Sequence, residues 1–214
     1  MKPAYWDQAT RTLGKKDRVL RKLIRAHPDV HLRPRGDPFA TLARAIVGQQ
    51  ISVKAADTIW QRFVAAVAPG VPRRGLPRLD TAIVAATEIA ALRSCGLSER
   101  KSEYLRDLAG HFASGALDPR TWRKLDDEAL IEALVAVKGI GRWTAEMFLI
   151  FHEMRADVLP VDDIGLQRAV AIHYNEGERL PIAAIRDLAA AWQPYRSVAT
   201  WYLWRSLDPI PVEY

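Results

Sequence analysis

The stretch Leu134-Val-Ala-Val-Lys-Gly-Ile-Gly-Arg-Trp-Thr-Ala145 decides the fold. Apolar spacing upstream predicts a helix over about 126–137, Gly139-Ile140-Gly141 makes a tight turn, and a second helix starts at once. Two glycines two apart let the backbone take positive φ and come close to a ligand. The start of the second helix then directs N–H groups and the positive dipole end outward, where a phosphate fits without needing a side chain. Such binding is sequence-independent. A plain glycine C-cap between two packed helices accounts for the same residues. A dinucleotide loop does not, because Thr144 replaces the third glycine, Arg142 and Trp143 are bulky, and no further strand–helix units follow. A Walker loop fails on the glycine spacing and on the missing Gly-Lys-Ser/Thr.

Working outward, the spacing stays helical nearly throughout. Between Trp6 and Ala26, Leu13, Val19, Leu20, Leu23 and Ile24 share one side, and Lys15, Arg18, Lys22 and Arg25 another, which reads first as a solvated face. Asp37-Pro38 reads as N-cap and first residue of a helix to about Gln49, and Ser52 caps the next. Residues 69–77, rich in Pro, Gly and Arg, form a loop. Helices follow over about 80–93, 98–112 and 126–137, with later ones starting near Gly141, Asp163, Pro181 and Tyr195. Nothing alternates with period two, so the fold class is all-α, with about ten helices by this count. Most of the seven tryptophans are expected in the core.

Composition narrows the function classes. At 214 residues, 49% hydrophobic and 26% charged, the chain is globular, with room for one domain or two small ones. No apolar run approaches the roughly 18 residues of a membrane span, and the polar start lacks a secretory signal. The single cysteine, Cys95, excludes an internal disulfide and any multi-cysteine zinc or iron–sulfur site. His152-Glu153 opens like a zinc-protease motif, but position 156 is Ala. Net charge is +6, which favours a polyanionic partner, nucleic acid first.

Leu159-Pro-Val-Asp-Asp-Ile-Gly-Leu-Gln-Arg168 follows the hairpin. Pro160 holds Leu159 extended, and Asp162 falls where a helix should begin. Asp162 then has two readings. It is an N-cap, or it is a carboxylate fixed beside a cleft to face developing positive charge.

A G-I-G-R hairpin followed about twenty residues later by P-V-D at a helix start resembles the helix-hairpin-helix–GPD superfamily of DNA glycosylases, most closely its alkylated-base, 3-methyladenine glycosylase II type. The resemblance runs from about Asp37 to Leu207 and includes Ile46-Val-Gly-Gln-Gln-Ile-Ser-Val53 and Trp192-Gln-Pro-Tyr-Arg-Ser-Val-Ala-Thr-Trp-Tyr-Leu-Trp204. It implies a central helical subdomain at 38–155, with the hairpin at about 130–153. A second subdomain combines 1–37 with 156–214, and the cleft between them contains the catalytic aspartate.

The resemblance also assigns roles. Asp162 becomes the catalytic carboxylate. Trp143 stands where lyase members have their nucleophilic lysine, so the implied enzyme is monofunctional, a hydrolase with no strand cleavage; Lys138 is out of register. Trp143 and Trp204 fall on base-pocket aromatics; Met147 and Asp163 stand where related enzymes have further aromatic residues. Gln50, or Gln49 if the register slips, is the wedge that fills the gap left by a flipped base. Lys138, Gly139, Ile140, Gly141, Arg142 and Thr144 form the phosphate-binding hairpin, with a monovalent Na+ or K+ expected on carbonyls near Gly139 and Gly141 and no organic cofactor. The implied reaction is release of alkylated purines from damaged duplex DNA in base excision repair. The alternatives are a different lesion range (hypoxanthine, ethenoadenine, uracil) and a non-catalytic DNA-binding protein. The expected protein is a monomer with no membrane association, cytoplasmic in a bacterium or archaeon and nuclear in a eukaryote.

Overall fold

The computed structural model describes residues 2–28, 30–71 and 75–207, so Pro72, Arg73 and Arg74 of the expected loop lie outside the described residues. Among those described there are twelve α-helices and no strand. They are α1 (Trp6–Lys16), α2 (Arg18–Ala26), α3 (Pro38–Gly48), α4 (Val53–Val67), α5 (Thr81–Ala86), α6 (Ile89–Ser94), α7 (Glu99–Ala113), α8 (Asp127–Val135), α9 (Arg142–Phe151), α10 (Ile164–Tyr174), α11 (Ile182–Ala190) and α12 (Arg196–Leu207).

The all-α expectation holds, with two more helices than the periodicity suggested because two stretches break. The run from Trp6 to Ala26 divides at Asp17, which is extended (φ −131°, ψ 124°) and whose carboxylate accepts the Val19 and Leu20 amides. An apolar stripe cannot register such a break, because both halves bury the same side. The 80–93 run divides at Thr87 and Glu88, both extended, with the Thr87 hydroxyl donating to the Ile83 carbonyl. That local bond offers the backbone an alternative to continuing the helix. Asp37 and Ser52 cap α3 and α4 as their sequence positions suggest.

The chain divides into two compact units, Met1–Pro34 with Leu149–Tyr214, and Arg35–Phe148. The resemblance placed the junctions a few residues later, at 37/38 and 155/156. Two rings at the end of α9 explain the second shift. Phe148 packs edge-on against Trp122 at 5.4 Å between centroids, whereas Phe151 stacks on Trp204.

In the first unit Trp6 of α1 meets Trp201 of α12 edge-on at 5.3 Å, and Leu13, Leu20, Val198 and Leu203 are buried. Asp17 anchors this core a second way, since its other oxygen, Oδ2, accepts the Tyr174 hydroxyl at 2.8 Å and the Trp192 indole N–H at 3.1 Å. In the second unit a file of edge-on rings, Phe39, Phe112, Trp122 and Phe148, runs through the centre. Trp6, Trp60, Trp122 and Trp192 are buried, while Trp143 is 41% exposed. No helix among the described residues is long and apolar enough to cross a membrane.

Candidate active site

The segment leading to Asp162 is fixed by backbone contacts. Asp157 pairs with Arg196 at 2.8 Å and also accepts the Arg196 amide, and the Ser197 hydroxyl accepts the Val158 amide at 2.9 Å, so the segment is bolted to the start of α12. Buried Val161 donates to the Leu159 carbonyl, and its own carbonyl accepts the Gln167 side-chain amide at 3.0 Å. Asp163 donates its amide to the Pro160 carbonyl, closing the turn that carries Asp162.

The cap reading of Asp162 is corrected by one residue. Asp163 is the N-cap of α10, its Oδ1 accepting the Leu166 amide at 2.7 Å. Either aspartate could have served by residue type, and the turn from Pro160 selects the second. Asp162 is exposed and its carboxylate has no hydrogen-bond partner among the described residues. The Asp163 Oδ1 also accepts the Trp204 indole N–H at 2.7 Å, and Trp204 stacks on Phe151 at 5.8 Å with the planes 14° apart. Nothing in the sequence singled out Phe151, because an aromatic at the end of a helix reads as ordinary core.

The hairpin lies between α8 and α9. Of the two glycines, Gly139 uses the freedom to take positive φ (+83°) and Gly141 does not. A Cβ on Gly139 would collide with the ring of Tyr104, whereas a Cβ on Gly141 would meet nothing within 4 Å. The first glycine is therefore required by the protein's own packing. Lys138 is exposed and its amide donates to the Asp107 carboxylate at 2.8 Å, Ile140 is buried, and Thr144 is half-buried.

Arg142 was expected on a phosphate, but its guanidinium forks onto Glu128 (2.6 and 2.9 Å) and reaches Glu146 at 3.0 Å. Glu146 is only 3% exposed, so it needs this counter-charge. The carboxylates raise the guanidinium pKa further, chiefly through the Glu128 hydrogen bonds. Met147 is buried on the same helix, while Trp143 stands at its exposed start.

The α3–α4 loop separates its two glutamines. Gln50 is exposed with φ +58°, a left-handed conformation that a non-glycine residue adopts at some cost. Gln49 is turned inward, its side-chain amide donating to the Gly139 carbonyl at 2.8 Å. Helix α7 supports both loop and hairpin from one face: Lys101 donates to the Val47 and Gln49 carbonyls at 2.9 and 2.6 Å, Tyr104 lies against Gly139, and Asp107 holds Lys138. Burial lowers the Lys101 pKa. These three residues were not legible in sequence, since each acts on a segment far along the chain.

Of the carbonyls near Gly139 and Gly141, where a monovalent cation is expected, the two glycines' own oxygens already accept hydrogen bonds. The Gly139 oxygen faces the positive end of the Gln49 amide, and the Gly141 oxygen accepts the Ala145 N–H at 3.0 Å. His152 and Glu153 lie 3.7 Å apart, and among the described residues no cluster of three His, Cys, Asp or Glu could hold a metal.

Residues 43–194 match the family model described as HhH-GPD superfamily base excision DNA repair protein. The chain belongs to this superfamily. It is similar to DNA-3-methyladenine glycosylase 1 of Schizosaccharomyces pombe, 34% identical over 179 residues, covering 79% of this chain and 72% of the relative. Among solved structures it resembles the DNA-3-methyladenine glycosidase of Bacillus halodurans, with TM-score 0.85 and 36% identity, covering 96% of this chain and 92% of that one. A further likeness is the 3-methyladenine DNA glycosylase Mag1 of S. pombe, solved in complex with abasic DNA, with TM-score 0.75 and 29% identity over 97% of this chain and 98% of that one.

Proposed function

We propose that this HhH-GPD protein is a monofunctional DNA glycosylase that hydrolyses the N-glycosidic bond of alkylated purines in duplex DNA, the first step of base excision repair. The observation that carries the reading is the division of labour between two adjacent aspartates: Asp163 does the structural work at the helix start, and Asp162 sits on the turn before it with its carboxylate unpartnered among the described residues. The glycosylase names of the relatives in both bacteria and yeast support the activity.

The chemistry follows from a fixed negative charge. Methylation at N3 of adenine or N7 of guanine makes the base a cation. When the C1′–N bond breaks, its electron pair goes to the base, which leaves neutral, while the sugar gains oxocarbenium character. An ionised Asp162 stabilises that sugar cation and orients the water whose oxygen bonds to C1′, the proton that water sheds passing to the carboxylate and on to solvent. The leaving base needs no proton from an acid, so one carboxylate suffices. Trp143 in place of a lysine leaves no amine to trap the sugar as a Schiff base. Trp204 and exposed Trp143 are each candidate faces for a cationic base. Gln50 is the wedge, and the hairpin from Lys138 to Thr144 contacts phosphate through its backbone, with Arg142 committed to its own carboxylates. The protein acts as a monomer where DNA is kept, in the cytoplasm of a bacterium or archaeon or in a eukaryotic nucleus.

Wild type and Asp162→Asn are to be incubated with methylated duplex DNA and the released bases chromatographed. Wild type releases 3-methyladenine, and the variant is slower by about a hundredfold or more. Tight DNA binding with no base released by wild type would overturn the reading.

A further inference from the structure

Asp163 shares one carboxylate oxygen between two donors: the Leu166 amide that starts α10 and the Trp204 indole N–H, both at 2.7 Å. Capping needs only the first. Gly165 leaves room for the second contact, since a Cβ there would crowd it, sitting 3.2 Å from both Cδ1 and Nε1 of Trp204 and 3.0 Å from the Asp163 oxygen. Phe151 supports the indole by stacking, so the ring is held at an edge and on a face and is only half-buried.

A carboxylate on an indole N–H does more than fix the ring. It polarises the N–H bond, pushes electron density into the π-system, and adds a net negative charge at the ring edge. Both effects strengthen the attraction of the ring for a cation over its face and do little for a neutral base of the same shape. We infer that Asp163 is a specificity-determining residue that, through Trp204, biases the site toward positively charged bases over neutral ones. This rests on the glycosylase reading above.

The test uses full-length protein in the Asp162→Asn background, so that the base stays attached. Dissociation constants are measured for duplexes carrying 7-methylguanine, a cation, and 7-methyl-7-deazaguanine, a neutral base of the same outline. The expected parent binds the cationic duplex more tightly. Adding Asp163→Asn, which keeps the acceptor oxygen and the cap but removes the charge, shrinks that preference by about three- to tenfold. Trp204→Phe, which keeps a ring but removes the N–H, shrinks it comparably, and the double variant shows no further loss. No preference in the parent, an unchanged preference in the variants, or equal weakening toward both duplexes would each overturn the inference, the last by making Asp163 merely structural. Base release by wild type from methylated DNA is scored separately, and its absence would instead remove the glycosylase reading.

Discussion

The Gln49 side-chain amide reaches across to the hairpin and donates to the carbonyl of Gly139 at 2.8 Å, whereas the adjacent Gln50 is exposed. Gln49→Ala removes an internal hydrogen bond and is expected to lower stability by about 0.5–1.5 kcal/mol. Gln50→Ala removes an exposed side chain at positive φ and should leave the melting temperature nearly unchanged while slowing base release from duplex DNA. Thermal melts paired with release assays on duplex and single-stranded methylated DNA distinguish the two, since a wedge matters only when a stacked neighbour must be displaced.

The hairpin glycines separate in the same way. Gly139→Ala drives a Cβ into Tyr104 at a positive-φ position and is expected to destabilise by several kcal/mol or prevent folding. Gly141→Ala has open space and an ordinary φ, so stability should change by less than about 1 kcal/mol. If a phosphate sits against that open side, the same variant loses DNA affinity, and salt titration of binding by fluorescence anisotropy measures the loss.

Asp17→Ala should be among the most damaging substitutions outside the site. It uncaps α2 and strands the Tyr174 hydroxyl and the Trp192 indole N–H. The expected loss is about 3–5 kcal/mol, read by chemical denaturation.

Alkaline pH tests the first unit through its tyrosines. Burial pushes the Tyr5 phenol up to about 12, and its hydroxyl has no hydrogen-bond partner among the described residues. Burial also raises Tyr202, and burial with the Asp17 charge raises Tyr174. Above pH 10 the unfolded phenols ionise while the folded ones keep their protons, so stability falls as pH climbs from about 10 to 12. Tyr5→Phe should shallow that fall without cost at neutral pH, as followed by melting temperature against pH.

The hairpin and the P-V-D turn were readable because each is local: a glycine pair, a proline and a helix start lie within a few residues of one another. The helix count fell short where a break left the apolar stripe intact, as at Asp17. Of the two readings of Asp162, the cap belongs to Asp163, because both aspartates satisfy the residue preference and only the turn geometry chooses. Lys101, Tyr104, Asp107 and Phe151 are illegible in the sequence for a different reason. Their meaning lies entirely in distant partners, and a lysine on a helix or an aromatic at its end carries no local sign of them.

One unit is assembled from the first and last parts of the chain, Met1–Pro34 and Leu149–Tyr214, with Arg35–Phe148 between them. During synthesis, α1 and α2 emerge long before α12, against which Trp6 must pack, exists. They wait as an amphipathic, positively charged pair, packed on each other but still lacking the α12 surface that completes their cover. The intervening unit, compact in itself, can close meanwhile, which replaces a long floppy tether by a compact one and lowers the entropic penalty of joining the two ends. The part of the chain that carries Asp162 is therefore the last to mature, and a ribosome-stalled chain lacking α12 would already hold a folded hairpin while remaining unable to release a base.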